Sequence, residues 1–474
     1  MAHLYLSASQ KSSGKTTLSI GLIRALHRRG EVVQPFKKGP DYIDPLWLAR
    51  AAGGRACHNL DYHTMPVEEI CGDFARLLQT PTPGSTQDST LGLIEGNVGL
   101  FDSIHVNGAG SNAELAKLLG APLVLVINAQ GMGRGIAPLL LGYQAFDPDL
   151  WIGGVILNKV GGTRHASNLR RVIEYYTDLP VLGAVPRAAE LAIEERHLGL
   201  IPSNEAMAVE ATIEAIHRAV VETVDVDRVL DIAARAPTPT WDASSMPLTP
   251  SSRLARMPSG APSVRIGIAQ DEVFGFYYPD DLASLERAGA ELVPFSPLVD
   301  ASLPAVDGLI LGGGFPESRM AELEANRSMR ASIAAFIADG GVAYAECGGL
   351  MYLCERLHWG RQSRAMCGVL GADVAMHERP QGRGYVRLRE TDAFPWPRAP
   401  ADVADICAHE FHHSAIVEAS PDWRYAFDVL RGTGIDGRHD GIIHQNLLAS
   451  YAHLRAVGAV NWTGRFVERI RSLR

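Results

Sequence analysis

Short apolar runs alternate with longer amphipathic stretches along most of the chain. LYLSA (4–8), GLIEG (92–96), LVLVIN (123–128) and GGVILN (153–158) read as buried strands of a parallel sheet. SIGLIRALHRR and ASNLRRVIEYY carry helical spacing between them. Residues 236–262, rich in Pro, Ser, Thr and Ala, keep neither period and read as a linker. Beyond them the alternation resumes with VRIGIA (264–269), DDLASLERAGA, ELVPF, GLILGGG, SIAAFIADGG and VAYAE. Strands interleaved with helices predict an α/β class with mostly parallel sheets in both halves, placed at 1–235 and 263–474.

At 474 residues the chain is too long for one ordinary core. Hydrophobic residues make up 46% and charged residues 20%, an ordinary globular balance. A net charge of −9 argues against a general nucleic-acid or anionic-membrane binder. The first residues lack the layout of a secretory signal, and no apolar run reaches membrane-spanning length. Six cysteines without a CxxC pair do not form a disulfide framework, so reduced thiols and a cytoplasmic location are expected.

The first chemical signal follows the first strand, in SASQKSSGKTTLSI. It is a phosphate loop of the GxxxxGK[ST] type with Ser9 in place of the first glycine. Such a loop needs backbone N–H groups at a helix start, a lysine for the terminal phosphate and a hydroxyl for magnesium. Gly14, Lys15 and Thr16 supply the pattern, Lys11 adds a second positive charge, and Ser12, Ser13 and Thr17 complete the candidate ATP-binding set. A magnesium nucleotide also needs carboxylates. Asp41 and Asp44, in PFKKGPDYIDP, flank a proline-bounded loop after a strand, and Glu95 closes GLIE as a Walker B acid would. Turn chemistry competes for the two aspartates, but three acids at strand ends favour a metal site on Thr16, Asp41 and Glu95.

The second signal is VAYAECGGLMYLC (342–354). A strand runs into Cys347, two glycines and the helical pattern LMYLCERL, the order of a nucleophile elbow. A lone cysteine is more often an inert core thiol, so both readings stand at this point. Gly312, Gly313 and Gly314 end the strand GLIL, where backbone N–H groups, with that of Gly348, can form an oxyanion hole.

KSSGKTT, FKKGPDYIDP, NLD (59–61), EGNVGLFD (95–102), GMGRGIAPLLLGYQAFDPD, GGVILNKVG and ERHLGLIPSNE occur in this order. FGFYYPDDLASLERAGAELVPFSPL, LGGGFPES, YAECGGLMYL, HEFHHS and LLASYAHL follow. Together they resemble the cobyrinate a,c-diamide synthase family over nearly the whole chain. The resemblance implies a dethiobiotin synthetase-like P-loop domain with a doubly wound parallel sheet, then a class I glutamine amidotransferase-like α/β domain. It implies that glutamine is hydrolysed to ammonia at one site. At the other, ATP and Mg2+ activate the a and c acetate carboxylates of cobyrinate or hydrogenobyrinate as acyl phosphates. Lys15 and Thr16 would serve phosphate and magnesium, Asp41 and Glu95 the metal, and Asp41 and Asp44 the acceptor carboxylate. Cys347 becomes the nucleophile and His453 the base that activates it. A homodimer is an assembly the family reading leaves open.

Class I amidotransferases commonly place a glutamate two residues after the histidine to orient it, and this position holds Arg455, which cannot accept the imidazole proton. HEFHH (409–413) spells the HExxH of zinc proteases, but SAIVEA follows it and supplies no third ligand, so zinc is not expected. Arg134, in GMGRG, is a candidate for phosphate or substrate carboxylates, and the FYYP run (276–279) is read as packing rather than as a wall for a planar ring. Lys38 and Asn97 sit where many cobyrinate enzymes carry apolar residues, and forms with EGN resemble homologues that amidate sirohydrochlorin or sirohaem, which keeps that ring as an alternative substrate. A nucleotide-driven switch like the partitioning ATPases is the alternative from another class, and it has no use for Cys347 or His453.

Overall fold

A computed structural model of the chain describes all residues except 80–89, 194, 197–198, 205–207, 238–240, 242–262, 399–404 and 459. The linker read over 236–262 lies largely outside the described residues. The chain divides into two compact units, Met1–Tyr62 with Val67–Pro247, and His63–Pro66 with Leu248–Arg474. Residues 63–66, within the span read as the first domain, thus group with the second unit.

The first unit is built on a seven-stranded sheet. Its strands are β1 (His3–Ala8), β2 (Val33–Lys38), β3 (His58–Leu60), β4 (Leu91–Glu95), β5 (Leu123–Asn128), β6 (Ile152–Val160) and β7 (Val181–Pro186). The order is β3-β2-β4-β1-β5-β6-β7, and every pairing is parallel. Every residue of β1 and β4 is buried, as their apolar runs required, and so is every residue of β2, including Gln34, Lys37 and Lys38. Because the strands are parallel, the loops after β1, β2 and β4 gather at one sheet edge, where open α/β sheets bind ligands. Helix α1 (Lys15–Arg28) rises from the first of these loops and α2 (Ile43–Ala51) from the second.

The second unit holds a nine-stranded sheet. Its strands are β8 (Val264–Ala269), β9 (Ala290–Phe295), β10 (Gly308–Leu311), β11 (Val342–Glu346), β12 (Gly382–Glu390), β13 (Ile406–His412), β14 (Arg424–Arg431), β15 (His439–His444) and β16 (Leu447–Ser450). The order is β9-β8-β10-β11-β16-β15-β14-β12-β13. Strands β9, β8, β10, β11 and β16 pair in parallel. From β16 outward the pairings are antiparallel, so the expectation of a mostly parallel sheet holds for only one side. The antiparallel strands are half-exposed and alternate in burial, and such strands need no helical crossover. LMYLCERL also divides. Helix α3 (Gly348–Leu353) stops at Cys354, whose backbone turns extended, and Arg356–Trp359 becomes a strand paired with Gln362–Ala365. Strand pairing there overrides the helical pattern. No helix among the described residues is long and apolar enough to cross a membrane.

Candidate active sites

The phosphate loop enters α1 through Gly14, whose backbone is left-handed at φ 89°. A Cβ there would lie 2.1 Å from Asn158 Nδ2, which itself donates to the Ser13 carbonyl at 2.8 Å. No side chain caps the start of α1, so its first N–H groups are left for an anion. Lys15 is buried and donates to the Val98 carbonyl at 2.6 Å. Burial, with the positive charge of Lys37, lowers its pKa to about 8. Lys11 and Ser12 are exposed, Ser13 is buried, and Thr17 is half-buried on the first turn of α1. Thr16 Oγ1 donates to Glu95 Oε1 at 2.8 Å and to Asp44 Oδ2 at 3.2 Å.

The three acids converge on a residue that the sequence did not single out. Lys37 Nζ lies 2.5 Å from Asp44 Oδ2, 2.7 Å from Glu95 Oε1 and 3.5 Å from Asp41 Oδ2. The parallel register of β2 on β4 sets Lys37 opposite Glu95. Burial opposes the charge on Lys37, but the three carboxylates more than offset it and hold the ammonium. Burial would likewise raise Asp44, but Lys37 and its hydrogen bond keep it ionised and low. Asp41 is pushed up to about 7 by burial and by Asp44 beside it. Asp41 also does turn work, since its Oδ1 accepts the N–H groups of Ile43 and Asp44 at the start of α2. Among the described residues no three His, Cys, Asp or Glu side chains are arranged to enclose a metal ion. Mg2+ does not need such a cage, because it binds through one or two carboxylates and phosphate oxygens. Glu95 Oε2, buried and without a hydrogen-bond partner among the described residues, and Thr16 Oγ1 fit that demand.

In the second unit β11 ends at Cys347, whose backbone sits at φ 45°, ψ −99°, a conformation that costs a non-glycine residue energy. The elbow packs so closely that a Cβ on Gly348 would lie 2.7 Å from the Gly314 carbonyl oxygen, and one on Gly314 would lie 1.8 Å from that of Val273. The Gly312 N–H, expected in the oxyanion hole, instead donates to Tyr277 Oη at 2.9 Å. That removes Gly312 from the candidate donors in this conformation and leaves Gly313, Gly314 and Gly348. His453 reaches the elbow through an antiparallel bridge to His409, its N–H donating to the His409 carbonyl at 2.8 Å. The Cys347 thiol is hydrogen-bonded to its ring. Nδ1 of the ring lies 3.3 Å from Glu346 Oε2. Burial pushes the imidazole down, but Cys347 and Glu346 reverse this and raise its pKa to about 10. Arg455 is fully buried, with its guanidinium 4.4 Å over the Tyr278 ring, 3.3 Å from Asp280 and 3.2 Å from Thr64 Oγ1.

Residues 6–201 match the family model of a CobQ/CobB/MinD/ParA nucleotide binding domain, and residues 265–459 that of a CobB/CobQ-like glutamine amidotransferase domain. The cobyrinate a,c-diamide synthase of Magnetococcus marinus is 45% identical over 460 residues, 97% of this chain and 95% of that protein. The synthase of the same name from Methanosarcina acetivorans is 41% identical, covering 98% of this chain and 94% of its own length. The chain belongs to the cobyrinate a,c-diamide synthase family. It is a glutamine-dependent carbon–nitrogen ligase, with a nucleotide-binding unit and an amidotransferase unit.

For a member of this family the sequence left the orienting group of His453 open, and it did not address what balances the three acids. Glu346 lies against the His453 ring, and Lys37 sits among the acids. Both were legible only as neighbours, one directly before the nucleophile and the other as half of a lysine pair. Lys38 Nζ donates to Asn97 Oδ1 at 3.1 Å, so the two polar residues noted in FKKGPDYIDP and EGNVGLFD touch each other. Arg134 is exposed and donates to the Tyr176 hydroxyl at 2.6 Å. Tyr277 and Tyr278 pack, as expected, at the start of the helix Pro279–Arg287. HEFHH begins on β13, where His409 and Glu410 alternate in burial, so the helical face a zinc site needs does not exist.

Proposed function

We propose that the chain amidates the a and c acetate carboxylates of cobyrinate, or of its metal-free analogue hydrogenobyrinate, in cobalamin biosynthesis. The observation that carries this reading is a complete Cys347–His453 pair in the same chain as the Lys15, Thr16 and Glu95 phosphate site, within a family whose relatives bear that name. In the glutaminase half, Cys347 attacks the carboxamide carbon of L-glutamine. The N–H groups of Gly313, Gly314 and Gly348 are the donors for the oxyanion, and His453 gives its proton to the departing ammonia. Water then releases glutamate from the thioester. In the synthetase half, Lys15 and the start of α1 hold the phosphates of ATP, and Asp41 and Asp44 serve the acceptor carboxylate in this reading. Mg2+, held by Thr16 and Glu95, would spread the charge of the transferring phosphoryl group. Carboxylates resist amine attack, and the acyl phosphate gives ammonia a leaving group.

A second substrate, a sirohydrochlorin or sirohaem ring, draws on the Lys38–Asn97 contact. The test is mass spectrometry of products formed with ATP, Mg2+ and glutamine, each ring being offered separately. Double amidation of cobyrinate or hydrogenobyrinate is expected. Product only from the sirohydrochlorin or sirohaem ring overturns the corrinoid assignment, and ATP hydrolysis without product from any ring points to a nucleotide switch.

A further inference from the structure

We propose that Glu346 is the positioning residue of the glutaminase, fixing the tautomer and tilt of His453 through Nδ1, so that the nucleophile and the group that orients its base are consecutive residues. Neighbours in a strand point to opposite faces, so an ordinary strand could not aim both at one ring. The turn at Cys347, with φ at 45°, removes that obstacle by swinging the thiol back toward the imidazole that the Glu346 carboxylate faces. The carboxylate is itself held. Its Oε1 accepts the Tyr344 hydroxyl at 2.5 Å and the Leu454 N–H at 3.1 Å, which ties it to the same backbone turn as His453. Other nearby acids are engaged elsewhere. Asp281 accepts the Ala456 N–H and Trp462 Nε1–H, and Glu410 accepts the N–H groups of Thr433 and Gly434. Arg455 occupies the position two after the histidine and is turned to Tyr278, Asp280 and Thr64. A small cavity lined by Tyr277, Asp281, Tyr344 and Trp462 borders Glu346. Catalytic hydrogen bonds of this kind commonly tighten once substrate is bound.

The inference rests on Cys347 and His453 as the glutaminase pair, and the experiment separates the two. Cys347→Ala, Glu346→Gln and Glu346→Asp are compared with the parent for glutamine-dependent and ammonia-dependent amidation. Glu346→Gln is expected to lower kcat with glutamine by roughly 10²-fold or more with little change in KM, because the ring loses its orienting charge. Ammonia-dependent turnover bypasses the glutaminase and reports an intact synthetase unit. The groups facing His453 are Glu346, Cys347 and His409, and of these only Glu346 is altered. The alkaline limb of kcat/KM for glutamine should therefore move to lower pH in Glu346→Gln and stay in place in Glu346→Asp, which also restores part of kcat. Such a shift would not follow from a merely structural role. If Glu346→Gln fails to fold, Glu346→Ala takes its place, a fall in kcat with the limb moved to lower pH supporting the proposal and a parent-like kcat with the limb unmoved overturning it. A Glu346→Gln kcat within about threefold of the parent, with the limb unmoved, overturns it as well. Glutamine turnover by Cys347→Ala would instead overturn the assignment of the pair.

Discussion

Replacing Gly313 with alanine places a methyl group against His453, the proposed base, and removes no side chain of the proposed glutaminase. Its Cβ would lie 2.7 Å from His453 Cε1 and 3.2 Å from Phe276 Cβ. Ordinary contact begins near 3.4 Å, so the imidazole must retreat by about 0.7 Å. The ring has little room, because it is 3% exposed with Glu346 close on its Nδ1 side. A misplacement of about 1 Å can cost about 10²-fold in rate, so kcat with glutamine should fall by roughly 10- to 100-fold. Overpacking of this size costs about 1–3 kcal/mol of stability, which a domain of ordinary stability survives. The assay is glutamate release, run beside amidation driven by ammonium chloride. The second activity should be unchanged, since the displaced ring plays no part in it. Parent-like glutamate release would refute the reasoning, because a ring moved this far without effect is not the working base.

Three further outcomes follow from the same geometry. Gly14→Ala forces a side chain into a left-handed position and into Asn158, so ATP-dependent turnover should fall at least tenfold, with a stability loss of about 1–3 kcal/mol seen in urea melts. Lys37→Met leaves Asp44 and Glu95 without their cation and should cost about 3–5 kcal/mol, and added Mg2+ should raise the melting temperature of the variant more than that of the parent. His453 has its pKa raised from 6.5 to about 10 by folding, so its contribution to stability is complete below about pH 6.5 and is lost as the pH rises through about 10. Urea unfolding of the parent and of His453→Gln should therefore show a stability gap that narrows across that window, and a constant gap would contradict the raised pKa.

The sequence by itself determined the parts of this protein whose chemistry is local. Continuous apolar runs specified the buried parallel strands β1, β4, β5 and β8, and the order strand–Cys347–glycines–helix specified an elbow, because each depends on residues adjacent in the chain. The tertiary structure decided what depends on contacts between distant segments. Pairing across strands made the outer half of the second sheet antiparallel and drew Arg356–Trp359 out of a helix. The register of β2 on β4 set Lys37 among acids that lie up to 58 residues away. The approach of the chain after β16 to the end of β11 brought Glu346 to His453 across more than 100 residues of sequence, where a motif search looks only two residues beyond the histidine. Periodicity records which face of an element is buried. Which charged group meets which is settled only when the faces are packed, because the interaction depends on distance in space and not on distance along the chain.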